Sequence, residues 1–334
     1  MKKVLILIIC ISAGLLACSR QPKTSCLNGN KMPANILDAA VQIGDTLIFA
    51  LENQKFDQIY DAGSESLKKA QTREQFNLVL QGIANNFFRP EFSRLTEAYY
   101  LTNKAGKKFE VVNVPCNLEI ENVNDIYQAP PNRELVSLIY SSMANEESAH
   151  IFVELIKEGG TWKLFSLVPG LETLKKKNVD DFVNLARQSR EQNKPKLALL
   201  YYKIAFLLAD YSPNVIEFVS LKVAQEMIQV KTDYMPAGTP QIWATTDASN
   251  FEVYNVDAFI EKGEPWVNID WIVDSFDDTK KLEELSEQLL DFAFEKFPEA
   301  KEFFVGIIVT GRSKDPRLVT QAYRKIRRFS EAAE

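Results

Sequence analysis

The spacing of apolar residues changes from a helical to a strand period near residue 90 of this 334-residue chain. Before that point, Ile36, Ala40, Ile43, Leu47 and Leu51 recur at helical spacing, which predicts a long helix with one apolar face. Beyond it, apolar and polar residues alternate, which predicts strands. The predicted strands span residues 95–102, 108–123, 135–142, 149–157 and 161–168. Helices followed by a meander of strands indicate an α+β domain over residues 33–170.

Two shorter helices are predicted between the first helix and the strands. One begins at Phe56 and ends at Gly63. The other begins after Thr72, which is followed three residues later by Gln75. A hydroxyl and an amide at this spacing are typical of a capping box, and the apolar pattern continues to Phe88.

The stretch from Phe56 to Ser64, the segment 72–76 and the closing hairpin 152–164 resemble the exported branch of the nuclear transport factor 2-like (NTF2-like) superfamily. The resemblance implies a curved antiparallel sheet wrapped on a long helix for residues 33–170. Some members hold a ligand or a catalytic acid in the cone between helix and sheet, which makes Tyr60 and Asp61 candidate pocket residues. Others use the fold for interaction alone. Because Tyr60 also fits the apolar spacing of its helix, a structural role is favoured for it.

The amino terminus has the features of a secretory signal. Two lysines precede an apolar run that ends at Ala17, and this run is shorter than the roughly 20 residues of a membrane span. The segment Leu15-Leu16-Ala17-Cys18 resembles the lipobox of bacterial lipoproteins. That resemblance implies removal of residues 1–17 and attachment of acyl chains such as palmitate at Cys18, giving stable membrane anchoring. The alternative is an ordinary exported protein with a chance cysteine.

Residues 18–32 are predicted to form a flexible, lipid-anchored tether, because Pro, Ser, Asn and Gly are frequent there. Ser19 stands where an Asp would indicate retention at the inner membrane. We therefore expect a location in the cell envelope, at the periplasmic face of the outer membrane if the host has two membranes.

Four cysteines are present, of which Cys10 would leave with the signal and Cys18 would carry lipid. Cys26 and Cys116 remain, and an exported protein can join such a pair in a disulfide. The alternation around Cys116 instead places it on the apolar face of a strand, where a free cysteine behaves as a small core residue. The sequence leaves both possibilities open.

Residues 178–232 are predicted to be helical, with a break at Asn193-Lys194-Pro195. The spacing of Ala186, Ala198, Tyr202 and Ala205 resembles that of a tetratricopeptide (TPR) repeat. Since fewer than about three repeats rarely fold alone, this segment is expected to pack on its neighbours.

Residues 238–330 are predicted to form a small α/β sandwich with one helical layer. Asp277 or Asp278 is expected to cap its first helix. The predicted elements are strands 251–256, 266–274 and 303–310 and helices 279–297 and 316–329.

Several chemical signals in the sequence have structural explanations that are favoured over functional ones. The segment Gly306–Ser313 nearly matches a phosphate-binding loop, but its centre is apolar and Arg312 replaces the required lysine. His150 is the only histidine and is expected at a surface or rim. Asp270 and Asp274 share a strand face without a metal-ligand pattern. No metal site, cofactor or catalytic set is predicted.

Two clusters near the carboxyl terminus also have alternative explanations. Trp243, Trp266 and Trp271 are expected to pack in a core, although they would also suit a recognition surface. The basic residues Arg324–Arg328 are expected to complement the dipole of a last helical turn, with contact to anionic lipid as the alternative.

The net charge of −6 argues against nucleic acid as a partner, because phosphate binding needs a cationic surface. The sequence therefore predicts a lipid-anchored, non-enzymatic envelope protein that serves as an interaction or scaffold module for another envelope protein. The alternative is small-molecule binding, with proton-transfer chemistry, in the cone of the first domain. Action on an envelope polymer is a third possibility, and it would need two carboxylates facing a groove.

Overall fold

The computed structural model describes residues 24–103, 112–116, 125–129, 133–144, 146–209, 215–216, 218–230, 232–236, 239–244, 249–314 and 322–331. Over these residues the chain is α+β, with eight α-helices, two five-stranded sheets and one three-stranded sheet. This confirms the predicted class. The described residues divide into two compact units, the first within residues 1–142, 150–170 and 212–218 and the second within residues 143–149, 171–211 and 219–334. The second unit contains most of the predicted helical segment together with the described part of residues 238–330.

The first unit packs helices on an antiparallel sheet. Its helices are α1 (Ala34–Glu52), α2 (Phe56–Asp61), α3 (Glu65–Ala70) and α4 (Arg73–Asn86). Its main strands are β1 (Thr24–Asn28), β2 (Arg94–Asn103), β5 (Arg133–Ala144), β6 (Glu147–Glu158) and β7 (Thr161–Leu171), and they lie in the order β1-β2-β5-β6-β7. A separate antiparallel sheet contains β3 (Val112–Cys116), β4 (Asp125–Ala129) and β8 (Val215–Ile216).

Local sequence signals explain how the helices of this unit begin. The predicted capping box is confirmed, because Thr72 accepts from the backbone of Gln75 while the Gln75 side chain accepts from the backbone of Thr72. Ser64 caps α3, a helix that the sequence did not predict, by accepting from the backbone of Leu67. Among the described helices only α1 is long and apolar enough to span a membrane by length and composition, and its buried residues belong to the core of this unit.

α1 lies close to the sheet at Gly44. A Cβ atom at this position would lie 2.4 Å from the Tyr140 hydroxyl and 2.5 Å from a methyl group of Leu138. The Tyr140 hydroxyl donates to Asp45 at 2.9 Å. Glycine therefore sets the distance between the long helix and β5.

Two predictions for this unit were wrong. The tether was predicted to extend to residue 32, but residues 24–28 form β1, which pairs antiparallel with β2 from Thr24 opposite Asn103 to Asn28 opposite Tyr99. The polar composition of this stretch resembles a linker, whereas backbone pairing with a distant strand determines its structure. Residues 108–123 were predicted as one strand; the described parts form β3, and β4 was not predicted.

The second unit joins a helical hairpin to a mixed sheet. Its helices are α5 (Val179–Glu191), α6 (Pro195–Ala209), α7 (Phe218–Met227) and α8 (Thr279–Lys296). Its strands are β9 (Gln241–Ala244), β10 (Asn250–Glu261), β11 (Glu264–Val273), β12 (Gly306–Ser313) and β13 (Ala322–Arg328). They lie in the order β13-β12-β11-β10-β9, with β11 and β12 parallel and the other pairs antiparallel. One core cluster contains residues from the hairpin, the sheet and α8.

Polar contacts fix the helices of this unit. Asp278 caps α8 by accepting from the backbone of Lys281 at 2.9 Å, as predicted. Glu226 on α7 accepts from Arg187 on α5 and from the Tyr202 hydroxyl on α6. These bonds, with that from Arg187 the largest contributor, lower the pKa of Glu226.

The predicted last helix, residues 316–329, was wrong, because its described part forms β13. The basic cluster therefore does not complement a helix end. Strand geometry sends alternate side chains to opposite faces. Lys325 bonds Glu283 and Glu287 on α8, whereas Arg324 and Arg328 bond glutamates on β10 and β11. The cations are paired by residues distant in sequence, which no local pattern could indicate.

Candidate interaction groove

Over the described residues, β2 is covered by a second strand along only half of one edge. It pairs with β5 from Arg94 to Asn103, but with β1 only from Tyr99 to Asn103. On the edge where β1 pairs with Tyr99–Asn103, no described strand is hydrogen-bonded to the preceding residues Arg94–Ala98. An uncovered strand edge presents backbone donors and acceptors that another chain can bind.

A groove of about 690 Å³ lies beside this uncovered edge. After β1 the chain forms a 3-10 helix at Gly29–Lys31, which contacts β2, and then enters α1. The groove is lined by Asn28, Gly29, Asn30, Lys31, Leu37, Leu95, Thr96, Glu97, Ala98 and Tyr99.

A bulge in β2 shapes the floor of the groove. The register with β5 shifts between Leu95 and Glu97, and the Thr96 hydroxyl donates to the Ile139 carbonyl at 2.9 Å. Bulges re-aim side chains and twist a strand edge locally. Here the Tyr99 hydroxyl donates to the Glu97 carboxylate, so that Glu97 is held beside the groove. Exposed Lys31 supplies the opposite charge.

Tyr60 and Asp61, the candidate pocket residues from the family resemblance, do not line this groove. Tyr60 contacts Phe76 and lies beneath the Arg73 guanidinium at 4.7 Å, and its hydroxyl donates to a backbone carbonyl. Asp61 accepts from Arg73 at 2.7 Å with 64% of its side chain exposed. Asp57 pairs with the same arginine, and a bond from Asn77 followed by that from Arg73 lowers the pKa of Asp57. The predicted pocket role required a buried acid, whereas Asp61 is a surface ion-pair residue.

The space between the helices and the sheet of the first unit is filled by apolar side chains over the described residues. Its buried residues include Leu47, Leu51, Ile59, Leu67, Phe76, Leu80, Ile83, Ala98, Val136, Leu138, Ile151, Val153, Leu155 and Leu164. One acid of the unit, Glu154, is fully buried and accepts from the Ser166 hydroxyl. Because its neighbours Val153 and Leu155 face the helices, strand alternation places Glu154 on the opposite face. This arrangement does not support a ligand site in the cone.

The three tryptophans and the segment that resembles a phosphate-binding loop have structural roles. Trp243, Trp266 and Trp271 are buried, as expected for core residues. The phosphate-loop match forms β12, which continues past Gly311, and Arg312 bonds buried Asp270 at 3.1 Å. Asp270 is buried, and Arg312 lies on the neighbouring parallel strand.

The half-buried His150 lies within β6, with its ring edge-on to Phe152 at 5.9 Å. Cys26 on β1 is disulfide-bonded. Cys18 and the side chain of Cys116 lie outside the described residues.

The residues lining the groove were not predicted as a site. Their polar members are common surface types, and the groove arises from the offset between β1 and β2. Comparison with protein-family models, with curated proteins and with solved structures found no match.

Proposed function

We propose that this chain is a lipid-anchored, non-enzymatic protein of the cell envelope that binds an extended segment of a partner protein along β2. Acylated Cys18 would hold it to the membrane, at the periplasmic face of the outer membrane in a host with two membranes. The partner's segment would add a strand beside Arg94–Ala98. In this binding mode, backbone hydrogen bonds provide affinity and alternate side chains provide specificity.

The half-covered edge of β2 carries this proposal. β1 demonstrates that the same edge accepts an antiparallel strand, since it pairs there over five residues. The groove lies beside the remaining part of this edge. The exposed side chains of Thr96 and Glu97 and the turn at Gly29–Lys31 would contact alternate residues of the added strand.

The finer assignment of the folds belongs to the same proposal. A long helix on an antiparallel sheet supports an NTF2-like first unit, although β1 and the three-stranded sheet are additions to the expected pattern. The antiparallel pair of α5 and α6 supports a TPR-like hairpin. Both assignments agree with an interaction role, and neither identifies the partner.

Site-specific crosslinking in intact cells tests the proposal. A photoreactive amino acid at Thr96 is expected to capture one recurrent envelope protein, and mass spectrometry should locate the adduct in an extended segment of that protein. The matched control places the same group at Gln81, which is exposed on α4 of the same unit.

Two results would contradict the proposal. Equal adducts at both positions, or none at Thr96 across several growth conditions, would refute the groove as a binding site. The mass of the amino-terminal peptide tests the anchor separately, since an unmodified Cys18 would refute lipidation.

A further inference from the structure

The two faces of β2 give the groove an apolar side and an acidic side. On the apolar side, Leu37 and Leu95 pack against the core of the first unit and Ala98 is buried within it. The register shift between Leu95 and Glu97 inserts one residue, so Leu95 points to the same face as Ala98. Glu97 points to the opposite face, where its carboxylate accepts from the Tyr99 hydroxyl. A strand added here therefore meets carbon on one face and a carboxylate on the other.

The carboxylate of Glu97 is exposed, and over the described residues no lysine or arginine is ion-paired with it. The hydroxyl of buried Tyr99 donates to its Oε2 atom, which fixes the position of the carboxylate but does not neutralise its charge. An ionised carboxylate offers about four acceptor sites, so others remain for a ligand. Lys31 also lines the groove, but it belongs to the 3-10 helix and has no register position on β2.

Strand register determines which residue of an added strand meets this carboxylate. β1 pairs with the same edge in antiparallel orientation, with each of its residues directly opposite one residue of β2. Side chains at directly opposite positions point to the same face, with Cβ atoms about 4.5–5.5 Å apart. The residue opposite Glu97 therefore reaches the carboxylate, whereas its two neighbours in the added strand point to the apolar side.

We infer that the partner segment carries a lysine or arginine between two apolar residues, an inference that rests on the proposed strand-binding function of β2. The cation pairs with Glu97, and the apolar neighbours cover Leu37 and Leu95. An acid in place of the cation brings two carboxylates together, which is unfavourable for directly opposite residues. The same pattern fixes the register, because a shift by one residue turns the cation to the apolar side.

Selection from a phage-displayed library of short segments with randomised central positions tests this inference on the full-length protein in detergent. The wild type is expected to enrich segments with a lysine or arginine flanked by valine, isoleucine or leucine. Glu97→Lys is expected to enrich an aspartate or glutamate at the same position. Glu52→Lys is the matched control, since it makes the same charge change at an exposed residue of α1 that does not line the groove. This control should keep the wild-type preference.

The affinity of one enriched cationic segment, synthesised as a peptide, measures the contact itself. Glu97→Gln removes the charge but retains an acceptor for the Tyr99 hydroxyl, and it should raise the Kd about two- to fivefold. Melting temperatures establish that each variant is folded. Enriched segments without a cation, or an unchanged preference in Glu97→Lys, would overturn this inference and leave the strand-binding function standing. Enrichment of no segment by the wild type would overturn both.

Discussion

Alanine at Gly44 and alanine at Gly82 are the same chemical change in two helices of the first unit, and the structure predicts opposite effects on stability. A Cβ atom at Gly82 on α4 meets nothing within 4 Å. The substitution there keeps only the gain in helix propensity and in unfolded-state entropy, about 0.5–1 kcal/mol.

At Gly44 the same gain is opposed by packing. The added methyl group would lie 2.4 Å from the Tyr140 hydroxyl and 2.5 Å from Leu138, so one of them must move. Overpacking a core costs roughly 1–3 kcal/mol, and displacing the Tyr140 hydroxyl also breaks its bond to Asp45, worth about 1 kcal/mol. After subtracting the helix gain, we expect Gly44→Ala to destabilise the unit by about 1–3 kcal/mol.

Hydrogen–deuterium exchange in increasing urea measures this effect for one unit at a time. Peptides from α1 and β5 report the first unit, while peptides from β11 and β12 serve as an internal control in each sample. The free energies of opening of the two variants should differ by about 2–4 kcal/mol. A Gly44→Ala variant as stable as the wild type would show that α1 does not pack on β5 through this glycine.

Three further predictions concern polar contacts and the disulfide. Glu226→Gln should speed exchange in α7 by costing about 1 kcal/mol. The pKa of Glu226 is lowered in the folded state, so the wild type loses this stabilisation as the pH falls through that folded pKa. Urea titrations at two pH values should therefore show a smaller loss of unfolding free energy on acidification in the variant than in the wild type. Arg312→Leu leaves the buried carboxylate of Asp270 without its ion-pair partner and should destabilise the second unit by about 1–3 kcal/mol, a value reduced because the arginine is partly exposed. Adding Asp270→Asn removes the unpaired charge, so the double variant should recover part of the lost melting temperature in thermal unfolding. Peptide mapping without reduction should find Cys26 joined to Cys116, because β3 lies against β1 and the sequence predicts that the other two cysteines are removed with the signal or carry lipid. Cys26→Ser should then free β1, which is checked by faster exchange of its amides; a mapped bond to any other cysteine contradicts this pairing.

Elements with strong local signals were predicted well. The apolar period gave α1 nearly to its ends, and the caps at Thr72 and Asp278 act where the sequence placed them. In these cases the residues that determine the structure lie within a few positions of each other, so one stretch of sequence contains the whole signal.

Elements that depend on distant partners were missed. β1 has the composition of a linker, and β13 carries cations on both faces because acids from α8, β10 and β11 meet them. The candidate groove belongs to the same class, since it exists only because β1 ends at Asn28 while β2 continues to Arg94. No local period encodes where one strand stops relative to another.

Because β1 begins only six residues after Cys18, a lipid on that cysteine would keep the groove close to the membrane. A lipid on Cys18 would lie six peptide units before Thr24, a reach of roughly 20 Å at full extension. β1 itself adds about 14 Å from Thr24 to Asn28, where the groove opens. A partner would therefore have to present its strand within about 34 Å of the bilayer, where membrane-bound molecules are concentrated in a thin layer. With a lipid on Cys18, such geometry would favour partners that are held at the same membrane over freely diffusing ones.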